Sequence, residues 1–315
     1  MSFIFNPDFF FSILRITAPI VFAALAAVVS EKGGISNIGL EGTMMMSALF
    51  GSLSAYYSGS WIFGVLMAIV TGIIVSIMMA FFAFNLKTNI ILSGTAINMI
   101  GSGGTIFLVR VITGITEGTQ MTSTNGLISR SLQVPTIHIP LIKDIPLLGE
   151  VLSGHSLLTY FAFILVFLVW VLLYKTSIGL NIRSVGENPN AASSVGVSVI
   201  KMKYIVMIIA GALSGLGGAY MSMSYSMGFS QDMVAGRGFI ALAAQAMGGG
   251  EPLGAMLSAL VFGSAQALAV KASAVGVDSN LVSPIPYLVT IIGLVVFALI
   301  ARNRAKRPKK EALTV

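Results

Sequence analysis

The side chains able to do chemistry are few in this chain, and most of them interrupt apolar sequence. Its 315 residues include 18 Lys plus Arg, 11 Asp plus Glu, two His and no Cys. The absence of cysteine excludes disulfide frameworks, thiolate metal sites and cysteine nucleophiles. Both histidines, His138 and His155, lie in a stretch with Pro135, Pro140 and Pro146. Their spacing matches no metal site, so none is expected, and they read as surface histidines. No paired carboxylates and no nucleophile with a nearby base occur within the apolar segments, which argues against an intramembrane enzyme. There is no GxxxxGK[ST] sequence to cradle a nucleotide phosphate. Gly215-Leu216-Gly217 lies in an apolar helix with no preceding strand, so it is not a dinucleotide motif either.

What remains is a set of polar residues at membrane depth. Asn37, Glu41, Asn98, Arg110, Arg237, Gln245, Gln266 and Lys271 each require a partner, a cavity or an interfacial position. Arg110 and Lys271 fall near span ends, where long basic side chains snorkel to water. Asn98 and Gln245 are mid-span; lining a polar pathway and hydrogen bonding between helices both fit them. Glu41 and Arg237 open helices beside the glycine-rich turns at 37–42 and 236–238, and an acid at a helix start is favoured by the backbone dipole. Asn37, Glu41, Asn98, Arg237 and Gln245 are the candidate lining of a polar pathway.

The elements that must hold these residues are membrane helices. Hydrophobic residues make up 56% of the chain and charged residues 9%, against about 25% charged in soluble domains, which excludes a water-soluble globular fold. Uncharged stretches at 88–109, 204–230, 252–270 and 279–301 can each cross as one helix, about 20 residues covering a ~30 Å hydrocarbon core. The uncharged run 42–86 reads as a helical hairpin turned at Ser58-Gly59-Ser60. With 16–30, 157–174 and a short segment at 238–249, the expectation is an all-α polytopic membrane protein of about nine transmembrane helices, eight to ten at the limits. Residues 1–301 form the transmembrane domain and 302–315 a basic tail. The start, MSFIFNPDFF, has no base before Arg15 and does not read as a signal peptide.

Bases orient the spans. The tail carries Arg302, Arg304, Lys306, Arg307, Lys309 and Lys310, and the 175–203 segment carries Lys175, Arg183, Lys201 and Lys203. The positive-inside rule places both in the cytoplasm. Nine crossings then put the N-terminus outside, with the 114–156 stretch and its two bases, Arg130 and Lys143. The longest polar segments are too short for a soluble catalytic domain, so the membrane part carries the function. Small residues at Gly211, Ser214, Gly215 and Gly218 recur at four-residue spacing and predict close helix packing. Gly101, Gly103 and Gly104 predict a break or close crossing.

Within 175–203, Asn188 is a good N-cap, Pro189 fits the first helical position and Gly196 can end a two-turn helix in a left-handed conformation. This predicts a short helix on the cytoplasmic face, from Pro189 to Val195.

The run from Gly179 through Arg183, Gly186, Glu187, Asn188, Pro189, Ala191 and Ala192, followed by Gly196 and Lys201, resembles the coupling segment of ABC importer permeases of the branched-chain amino acid, ribose and nucleoside family. Residues 30–42 resemble the N-terminal signature of its nucleoside and simple-sugar branch, and 211–219 and 236–243 resemble its later half. The resemblance covers nearly the whole chain. It implies a transport subunit in a bacterial inner membrane, not an enzyme, with no cofactor of its own. ATP and magnesium would be bound by partner ATPase subunits, against which Arg183, Gly186, Glu187, Asn188, Pro189, Ala191, Ala192 and Gly196 would dock. It further implies a second permease in a heterodimer and an extracellular substrate-binding lipoprotein; nucleic acid has no place in the assembly. The substrate it implies is a nucleoside, the alternative being a simple sugar such as ribose or galactose. An ion-driven secondary transporter is the competing class, and the scarcity of buried carboxylates argues against it.

Overall fold

The computed structural model describes residues 7–113, 132–138, 148–226, 228–275, 282 and 284–306. Arg130, Lys143, Pro140 and Pro146, and the side chains of the basic tail, lie outside the described residues. Helices dominate: α1 (Pro7–Lys32), α2 (Leu40–Ser58), α3 (Trp61–Ala80), α4 (Ile90–Met99), α5 (Thr105–Thr113), α6 (Leu148–Leu152), α7 (Leu157–Lys175), α8 (Ser177–Glu187), α9 (Pro189–Ser194), α10 (Val199–Tyr220), α11 (Arg237–Met247), α12 (Pro252–Ala274) and α13 (Ile285–Lys306). Turns of π-helix prolong α3 over Phe81–Asn85 and α10 over Met221–Tyr225, and one over Ile100–Gly104 joins α4 to α5. A two-residue antiparallel ladder pairs β1 (Thr136–Ile137) with β2 (His155–Ser156).

Among the described residues, six helical stretches are long and apolar enough to cross a membrane: Pro7–Lys32, Trp61–Asn85, Ile90–Ile112, Leu157–Lys175, Val199–Tyr225 and Pro252–Ala274. The expected hairpin is present, α2 ending at Ser58, Gly59 turning at φ +65° and α3 starting at Trp61. The short segment expected at 238–249 is α11, whose 11 residues extend only about 16 Å, half of the ~30 Å core.

Helix α1 is the axis of the bundle, buried from Ile16 to Ser30 and packed on α7, α10, α11 and α12. Because lipid is as apolar as a helix face, association here depends on close van der Waals contact. Glycine provides it. A Cβ on Gly72 of α3 would overlap the Gly211 carbonyl of α10 and lie 2.9 Å from the Gly215 Cα, and one on Gly218 would overlap the Met44 carbonyl of α2. The four-residue stripe on α10 therefore seats two helices. Gly101 meets Gly42 in the same way, so the glycine cluster after α4 makes a close crossing and a wide π turn rather than a break.

Contacts define two ends of the bundle. At one, Phe11 stacks on His155 with centroids 3.9 Å apart, the Lys271 ammonium lies 5.4 Å from the Phe9 ring, and the Tyr220 hydroxyl donates to the Arg15 carbonyl at 2.9 Å. At the other, Lys32 pairs with Glu251 at 2.8 Å and Arg183 lies over the Tyr174 ring at 4.7 Å. Helices α1 and α7 therefore run one way and α10 and α12 the other.

Candidate functional site

Two turns at membrane depth meet through one carboxylate. Glu41, in the first turn of α2, reaches across to the start of α11, where Oε1 accepts from the Gly236 N–H at 2.8 Å and Oε2 from the Gly238 N–H at 2.6 Å. Helix N-termini carry unpaired N–H groups and partial positive charge, so an anion is the natural cap. Glycine is needed on both sides of Arg237: Gly236 has φ +77°, and a Cβ on Gly238 would lie 2.6 Å from the Glu41 nitrogen. Since α11 starts about 16 Å from its end at the Lys32 face, this cap lies near half depth.

Arg237 is 5% exposed, and its Nη1 donates to the carbonyls of Met233 at 3.2 Å and Val234 at 3.1 Å. Its guanidinium carbon lies 5.2 Å from the Tyr225 ring centroid, within cation–π reach, and its Nε is buried without a hydrogen-bond partner among the described residues. Asn98 accepts from the Gly42 N–H at 2.8 Å and donates to the Ile38 carbonyl at 3.0 Å. Of the two readings open for Asn98, the geometry has hydrogen bonding between helices. Asn37 is buried, donating to the Ser30 hydroxyl at 3.3 Å while its Oδ1 has no partner among the described residues. Asn37, Glu41, Asn98 and Arg237 thus gather around the 37–42 turn. Gln245, half-buried in the last turn of α11, is not with them.

The capped helix of the 175–203 segment is formed as its residues dictate. Asn188 Oδ1 accepts from the N–H groups of Asn190 and Ala191, each at 3.1 Å, Pro189 holds the first helical position, and Gly196 has φ +86°. The helix ends at Ser194, one residue before the expected Val195. The residues proposed to dock divide in two. Glu187, Asn188, Pro189, Ala191 and Gly196 are exposed. Ala192 is 3% exposed and faces the body of the protein, whereas Val195 is 79% exposed. Arg183 and Gly186 are anchors: Arg183 Nε donates to the Leu173 carbonyl at 3.0 Å, and Gly186 packs backbone to backbone on Lys32 and Gly34.

Beneath this segment lies a polar cluster that the sequence reading did not single out. Tyr174 and Lys32 both bond Glu251, the Tyr174 hydroxyl at 2.5 and 2.6 Å from its two oxygens and Lys32 at 2.8 Å. Burial pushes the Glu251 carboxyl up, but the bonds from Lys32 and Tyr174 and the Lys32 and Arg183 charges outweigh it and hold the group below its ordinary value. Its ion pair is therefore complete at neutral pH and is lost only as pH falls through that lowered value. The one sequence signal was a charge at the end of an apolar run.

Comparison with known proteins is decisive at this point. The family described as branched-chain amino acid transport system / permease component matches residues 9–301. The chain belongs to this family. Among curated relatives of the permease, the nucleoside ABC transporter permease protein NupC of Lactococcus lactis subsp. cremoris is 33% identical over 96% of this chain and 94% of its own. The guanosine ABC transporter permease protein NupQ of Bacillus subtilis is 35% identical over 93% and 91%. In each organism a second permease, NupB and NupP respectively, is 26% identical over 79% of this chain. A solved ABC transporter in an inward-facing conformation has the same fold, at TM-score 0.50 and 18% identity, over 93% of this chain and 85% of its own.

One histidine of the permease is not where its sequence placed it. His138 is exposed, but His155 is 2% exposed, stacked on Phe11 and with Nε2 2.9 Å from the Val151 carbonyl. The ladder between β1 and β2 folds the 132–138 segment over it, a long-range pairing that residue types alone do not reveal. Burial, reinforced by the Arg15 charge, holds its imidazole below the ordinary value despite the bond to Val151, so it is neutral at pH 7. Among the described residues no three His, Asp or Glu side chains converge on a metal site.

Proposed function

We propose that this permease conducts nucleosides into the cell as one membrane subunit of an ATP-driven importer. The observation that carries the reading is the match, over more than nine-tenths of the chain, to two permeases whose names specify nucleoside and guanosine transport. The reading is supported at the 37–42 turn by the buried Asn37 Oδ1, which has no hydrogen-bond partner among the described residues and is a neutral acceptor of the kind a hydrogen-bonding solute uses. Deleting the gene is expected to abolish uptake of radiolabelled uridine and guanosine while ribose and leucine uptake persist. Loss of ribose or leucine uptake with nucleoside uptake intact would overturn the substrate assignment.

The rest of the assembly is part of the same proposal. The helix α9 docks on a cytoplasmic ATPase subunit, which binds the ATP and magnesium; Arg183 and Gly186 position it and the exposed residues make the contact. A lipoprotein delivers substrate at the Phe11–His155 end. The partner permease is a different chain, since each relative's organism holds a second, more distant nucleoside permease. Nine crossings are completed when α2, α11 with the turn before it, and α13 are added to the six long apolar helices. The N-terminus is then outside and the C-terminus in the cytoplasm. The cysteine-free background makes the topology simple to test. A Ser193→Cys variant is expected to react with an impermeant thiol reagent only after the membrane is opened, and reaction in intact cells would refute the orientation.

A further inference from the structure

At the Phe11–His155 end a cavity of about 360 Å³ opens between α1, α7, the end of α10 and the β1–β2 ladder, within the range of about 300–1,000 Å³ that accommodates small-molecule ligands. Its lining combines three kinds of group. Phe11 supplies an aromatic ring held flat by its stack on His155, the ring planes 10° apart, and Tyr225 a second ring that already lies under the Arg15 and Arg237 guanidiniums. Arg15 is exposed and lies 5.2 Å from the Tyr225 ring; one Nη donates to the Tyr225 carbonyl at 2.8 Å, which leaves other donors of its fork for a ligand. Ser156 and Ser224 pair through their hydroxyls at 2.8 Å, and each hydroxyl keeps acceptor capacity beyond that bond. Among the described residues no carboxylate lines the cavity.

We infer that this cavity is an outer reception subsite for a nucleoside, in which the base lies against the Phe11 ring, Arg15 donates to a base carbonyl and the Ser156–Ser224 pair bonds the ribose hydroxyls. A planar base with carbonyl acceptors and a vicinal diol asks for these three contacts, base–aromatic stacking being worth about 1–3 kcal/mol. Tyr225 also gives the cavity an onward connection, because Arg237 lies 5.2 Å from the same ring, and Arg237 sits between the two glycines capped by Glu41. A solute leaving the subsite past Tyr225 therefore meets the half-depth turn next.

This inference deepens the nucleoside reading and rests on it, so its test is made on the whole transporter with the binding protein unchanged. In cells carrying Ser156→Ala, Ser224→Ala or both, uptake of labelled guanosine is competed with guanosine and with 2′,3′-dideoxyguanosine. The double variant is expected to lower the preference for guanosine over the dideoxy competitor about tenfold, and to raise KM with kcat little changed. An unchanged preference ratio, whatever the change in overall rate, would overturn the ribose contact, since a structural defect slows both solutes alike. Arg15→Lys is expected to change the guanosine-to-uridine ratio, and an unchanged ratio would overturn the base contact. If the wild-type transporter takes up no nucleoside, it is the underlying functional reading that fails.

Discussion

Replacing Glu41 by alanine is expected to unlatch α11 from α2, lower the thermal midpoint of the detergent-purified permease and abolish uptake. The carboxylate satisfies two N–H groups at the start of a helix that begins near half depth, where water is not at hand to replace it. A buried donor left unpaired costs about 1–3 kcal/mol, so losing both costs about 2–6 kcal/mol. Glu41→Gln keeps one acceptor oxygen but turns an amide N–H₂ toward the second N–H, so it should lie between wild type and alanine. Gly238→Ala should resemble Glu41→Ala, because its Cβ would lie 2.7 Å from the Glu41 carboxylate it displaces. Thermal midpoints by tryptophan-free dye fluorescence, measured beside uptake, check the series; an alanine variant with wild-type stability and uptake would show that the cap is dispensable.

That pairing explains what was legible in the sequence and what was not. Local chemistry could be read directly. The Ser58-Gly59-Ser60 turn, the Asn188 cap and the left-handed Gly196 each depend on residues a few positions apart, and all three are present. The α10 stripe was legible as a packing face because small residues repeat every four positions, although its partners, Gly72 and Met44, were not. Glu41 and the 236–238 turn stood out too, each as a polar residue beside glycine in apolar sequence. Their union was not, since 195 residues separate Glu41 from Gly236 and no periodicity encodes that contact. His155 was misread for the same reason: its burial comes from Phe11 and a two-residue ladder. Asn98 is the intermediate case, a residue whose need for partners was legible and whose partners, Gly42 and Ile38, came only from the fold.

A six-residue helix is too short to reveal its inner face by periodicity, and this matters most for the coupling proposal. Two adjacent alanines look equivalent in the sequence, yet Ala192 packs inward and Ala191 outward. Val195, four residues after Ala191, is 79% exposed, and residues four apart share a helical face; Val195 caps the end of α9 on that same side. A small apolar surface of this kind, presented between Asn188 and Gly196, needs a partner to cover it. Ala191→Arg is therefore expected to leave the permease folded and at normal abundance in the membrane while uptake falls at least about tenfold, the loss that about 1.4 kcal/mol of docking energy produces. Ala192→Arg should act differently, because it forces a charge against the body of the permease and should reduce the amount of protein in the membrane. Immunoblots of membranes, ATPase co-purification and guanosine uptake distinguish the two. Normal uptake and ATPase recovery with Ala191→Arg would remove α9 from the docking surface and leave its capped geometry without a functional role.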